Sequence, residues 1–71
     1  MRLSRNPTID NWAQRFLKDG WSVRRGGRHY RLQSPDGKIR LTVPGSPSDF
    51  RAAENWRSQV RRSTGIDPAA Q

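Results

Sequence analysis

The chain has 71 residues, of which 14 are Lys or Arg and six are Asp or Glu, with one histidine, no cysteine and a formal net charge of +8. That length holds one domain with a thin core, and the missing cysteines exclude a disulfide framework or a thiolate metal site. One histidine with scattered carboxylates gives no metal-ligand spacing, so no cofactor is implied, while the cationic excess calls for a polyanionic partner, nucleic acid first.

Lys18 and Lys38 are the only lysines, so twelve of the basic residues are arginine. The planar guanidinium suits phosphate and guanine edges, although GC-rich coding enriches arginine as well. No apolar run nears the roughly 20 residues a membrane span needs, and Met1 to Arg5 lacks the apolar stretch of a signal peptide. The expectation is a cytoplasmic protein with no membrane role.

Ile9, Trp12, Ala13, Phe16 and Leu17 recur at helical spacing, which predicts a helix over about 7–19. Asn6-Pro7 or Thr8 opens it and Gly20 closes it. From Trp21 the period becomes two. Trp21 and Val23 alternate with Ser22 and Arg24, and Gly26-Gly27 supplies a hairpin turn. A second strand puts Tyr30 and Leu32 on one face and His29, Arg31 and Gln33 on the other, ending at the turn Ser34-Pro35-Asp36-Gly37. In the third, Ile39, Leu41 and Val43 are buried while Lys38, Arg40 and Thr42 face outward.

Ser46-Pro47-Ser48-Asp49 reads as the serine-capped start of a second helix, with Phe50, Ala53, Trp56 or Arg57, and Val60 as a weaker apolar stripe and Gly65 as its C-cap. Residues 1–66 then form one domain and 67–71 a frayed tail. The fold class is α+β, in the order αβββα, with both helices on the one apolar face of a three-stranded antiparallel sheet. The other face gathers His29, Arg31, Arg40 and Thr42, with Arg24 nearby. Trp12, Trp21 and Trp56 fall on or beside apolar stripes and are assigned to core packing rather than to base stacking.

Gly20-Trp21, Gly27-Arg28-His29, Pro35-Asp36-Gly37, Leu41-Thr42-Val43-Pro44 and Trp56-Arg57-Ser58 through Gly65-Ile66 follow one another in an order and spacing that resembles the HicA toxin family. The resemblance runs from about Trp12 to Ile66. It implies a double-stranded-RNA-binding-domain-like fold, an mRNA-cleaving endoribonuclease, a HicB-like antitoxin as partner, and His29 as the catalytic residue. The family motif usually carries serine where this chain has Arg28, often a second histidine where it has Tyr30, and basic or histidine residues in the loop that here reads 44–49.

An RNase without metal uses the ribose 2′-hydroxyl as nucleophile. One group removes its proton, another protonates the leaving oxygen, and cations stabilise the charged intermediate. His29 can serve as base or acid. Arg24, Arg25, Arg28, Arg31 and Arg40 are candidates for holding RNA about it, and Arg51, Arg57, Arg61 and Arg62 for backbone phosphates along the second helix. Two alternatives use the same scaffold: a basic nucleic-acid-binding module without catalysis, and a protein-interaction module that docks an acidic partner.

Overall fold

A computed structural model describes residues 2–46 and 49–70. Helix α1 spans Pro7–Lys18, strands β1, β2 and β3 span Ser22–Gly26, His29–Gln33 and Arg40–Val43, helix α2 spans Ala52–Thr64, and a single 3₁₀ turn closes the chain at Pro68–Ala70. The order αβββα and the open antiparallel sheet, arranged β1-β2-β3, agree with the periodicities of the sequence.

Helix α1 starts where the cap chemistry puts it. The Asn6 side chain accepts hydrogen bonds from the Thr8 and Ile9 amides at 3.0 and 3.1 Å, with Pro7 in the first turn. It buries Ile9, Ala13 and Phe16. These meet Leu32, Leu41 and Val43 of the sheet and Trp56 and Val60 of α2 in one core. Phe16 packs edge-on against Trp21 at 4.8 Å between ring centroids, and Trp12 stacks beside Trp56 at 6.4 Å. Edge-to-face and offset geometries of this kind suit the ring quadrupoles.

Four local expectations are corrected. The first hairpin turns at Gly27-Arg28, because Gly26 still pairs with His29 and Gly27 takes the positive φ of 64° that the tight turn demands. Strand β3 begins at Arg40, since Lys38 and Ile39 belong to a wide turn in which Asp36 accepts from the Ser34 hydroxyl and the Lys38 amide. Helix α2 begins at Ala52 after Arg51, with no side-chain cap. The predicted cap residues Pro47 and Ser48 lie outside the described residues. Phe50 therefore precedes the helix and, far from packing in its stripe, is 92 % exposed.

The segments on either side of the αβββα core are fastened among the described residues. Leu3 is buried, its amide donating to Asp10, while the Ser4 hydroxyl donates to the Pro44 carbonyl at 2.6 Å and the Arg5 amide to that of Gly45 at 2.8 Å. At the other end the expected fraying stops short. Pro68 is buried, its carbonyl accepts from Arg15, and Asp67 takes both arms of the Arg57 guanidinium at 2.8 and 2.7 Å.

That pair makes stability respond to acid. The Arg57 guanidinium, with help from the Ala69 amide, lowers the Asp67 carboxyl from its ordinary 3.8 to about 2. The folded protein thus binds a proton less readily than the unfolded chain. The contribution of the pair is complete above pH 3.8 and is lost as pH falls toward 2. In urea titrations the stability gap between wild type and Asp67→Asn should stay constant from neutrality down to about pH 5. It should then close as the carboxylate titrates; a gap of unchanged size in strong acid would deny the pair this role.

Candidate nucleic-acid interface

The site is built by strand register. Arg24 of β1 lies opposite Arg31 of β2, Arg31 opposite Thr42 of β3, and Gln33 opposite Arg40. Alternation puts these side chains on the face away from the helices, and Arg24, Arg31, Arg40 and Thr42 are exposed. Directly opposed like charges on a sheet repel at cross-strand distances of roughly 5 Å. Yet no carboxylate answers them among the described residues. Asp10, Asp36 and Asp67 are engaged elsewhere, Asp67 in an ion pair with Arg57. The open face is therefore cationic, with its guanidinium groups turned to solvent.

A cleft of about 340 Å³ opens on this face, lined among others by Arg24, Arg25, Arg31, Gln33 and Arg40. Gly26 gives it shape. A Cβ there would sit 3.2 Å from the Arg31 Nε, so glycine lets that guanidinium lie flat against the hairpin.

His29 stands at the end of this face, exposed, where β2 leaves the hairpin. The Gly45 amide donates to its Nδ1 at 3.3 Å, and Gly45 is itself held through its carbonyl by Arg5. With Nδ1 accepting, the neutral ring carries its proton on Nε2, which makes Nε2–H a donor in the resting state. The bond is at the long limit for N–H···N contact, so exchanging it costs little.

The other predicted residues disperse. Arg25 shares the strand phase of Val23, and its guanidinium lies 5.9 Å from the Tyr30 ring centre, although it also lines the cleft. Arg28 sits in the hairpin turn and lines a separate cleft with Arg2, Arg5 and Ser46. Arg57 is occupied by Asp67, a structural role that the sequence did not signal because its partner lies past the end of the helix. Arg51 is exposed at the start of α2, and Arg61 and Arg62 are exposed in its last turn. Tyr30 opposes Val43 on the core side and is half-buried, as its phase predicts.

Among the described residues no three His, Cys, Asp or Glu side chains come together as metal ligands, and no helix is long and apolar enough to cross a membrane. No family model, curated protein or solved structure significantly matches the chain.

Proposed function

We propose that this chain is an RNA-binding endoribonuclease of HicA-like type, which holds a ribose-phosphate backbone on the open sheet face and uses His29 at its end. The observation that carries this reading is the unanswered row of Arg24, Arg31 and Arg40 leading toward the one exposed imidazole. Arginines without carboxylate partners supply charge-assisted hydrogen bonds to phosphate oxygens. In this reading His29 Nε2–H donates to a phosphoryl oxygen, which is supported by the Gly45 amide occupying Nδ1, and release of that bond frees the ring to take or give a proton. The 2′-hydroxyl gives its proton to one of His29 and water and attacks the adjacent phosphorus, the P–O5′ bond breaks, and the leaving O5′ takes a proton from the other.

A direct test is incubation of purified protein with RNA. Binding should weaken steeply with salt, and the fragments should end in 2′,3′-cyclic phosphate and 5′-hydroxyl. A 2′-deoxy substrate should bind but survive intact. One observation favours the non-catalytic reading instead. No second imidazole or carboxylate accompanies His29 among the contacts described, so the second proton would travel through water. Tight binding with no fragments would select that binder.

A further inference from the structure

The geometry points to a single strand of RNA, not a duplex, as the ligand: its track leaves the open sheet face, bends around the β3 edge and ends on the last turns of α2. This rests on the reading of the chain as RNA-binding and adds the form of the nucleic acid and the path it takes.

The track is defined by shared residues. Arg40 lines the cleft on the open face and also a second one, of about 420 Å³, together with Thr42, Gln59, Arg62 and Ser63. Arg62 in turn lines a third, of about 580 Å³, with Ser58, Arg61 and Gly65. The three clefts thus share two arginines, Arg40 between the first and second and Arg62 between the second and third. No carboxylate lines any of them, and their polar side chains are guanidinium, amide and hydroxyl donors suited to phosphate. Strand β3 is an outer strand, and α2 is stitched to it by the Trp56 indole, which donates to the Thr42 carbonyl at 2.8 Å. That bond holds Gln59, Arg62 and Ser63 beside the strand, on neighbouring helical positions.

A path from one layer of this fold to the other must turn within a molecule measuring 32 × 26 × 17 Å. A duplex is too stiff to follow it, since double helices stay straight over roughly 150 base pairs and double-stranded RNA modules read about 16 base pairs along a straight face. A single strand bends freely. The clefts offer no ring to stack on, because Trp56, the aromatic residue lining them, is 1 % exposed. Recognition is therefore through phosphate and tolerant of sequence.

The test is fluorescence anisotropy with 2′-O-methyl oligouridines, which lack the nucleophile, of roughly 4 and roughly 12 nucleotides, and with a duplex of about 12 base pairs. The Arg62→Ala protein should bind the long strand at least about fivefold more weakly and the short one, which the sheet face accommodates, almost as well as wild type. Its salt slope on the long strand should fall by about 0.7. Arg40→Ala, at the junction, should weaken both lengths, and the charge-matched Lys18→Ala neither. Equal effects of Arg62→Ala on both lengths, no effect on either, or tighter binding of the duplex than of the long strand would overturn the single-strand track while leaving RNA binding intact. Failure of the wild type to bind any of these at low salt would overturn the track and RNA binding together.

Discussion

Replacing Trp56 by alanine should lower stability sharply at 25 °C. The side chain is 1 % exposed, touches both Trp12 and Phe16, and donates to the Thr42 carbonyl on the outer strand. Truncating a buried tryptophan costs about 3–5 kcal/mol, while a chain of 71 residues has roughly 4–10 kcal/mol in total. The substitution removes about a third or more of that margin and frees a strand edge at the same time. Trp56→Phe separates the two contributions. It keeps an aromatic ring in the core but loses the indole N–H, and should cost about 1.5 kcal/mol, a fall in Tm of roughly 6–12 °C. Circular dichroism melts of both variants decide the matter. A cooperative wild-type-like transition in Trp56→Ala would mean that the helix is held to the sheet by other contacts.

The parts of this fold legible in sequence are those with a repeated signal. Five apolar positions at helical spacing behind Asn6-Pro7 define α1, and period-two alternation separates Leu32, Leu41 and Val43 from Arg31, Arg40 and Thr42 without ambiguity of face. The open face was readable for the same reason. Single residues were not. Leu3 and Pro68 are buried through contacts with distant segments, and a lone apolar residue among polar neighbours has no period to reveal it. The partnership of Arg57 with Asp67, and that of His29 with Gly45 across 16 positions, depend on how the chain ends and loops come together. Phe50 departs from the expected stripe, although its spacing to Ala53 continues it, because Asp49 opens a turn, its side chain accepting from the Arg51 amide and its carbonyl from that of Ala52, and the helix starts only afterwards.

His29→Ala should abolish cleavage and spare binding. A positioned imidazole that moves a proton contributes about 10²–10⁴-fold to rate, and no neighbouring group described here can replace it. Its loss from the fold is nearly free. The ring is exposed and makes one hydrogen bond, at 3.3 Å, so the variant should melt within a few degrees of wild type. RNA affinity should hold because Arg24, Arg31 and Arg40 are untouched, whereas Arg31→Ala should lower affinity and, with it, cleavage at limiting RNA. The two variants thus divide the site into a part that holds the strand and a part that breaks it. Single-turnover cleavage with saturating protein makes the division measurable, since it removes binding from the rate. A folded His29→Ala protein that still cuts RNA at the wild-type rate would place the proton transfer elsewhere. A wild type that binds but never cuts would make Arg28→Ser, the serine form of the motif this chain resembles, the first substitution to test.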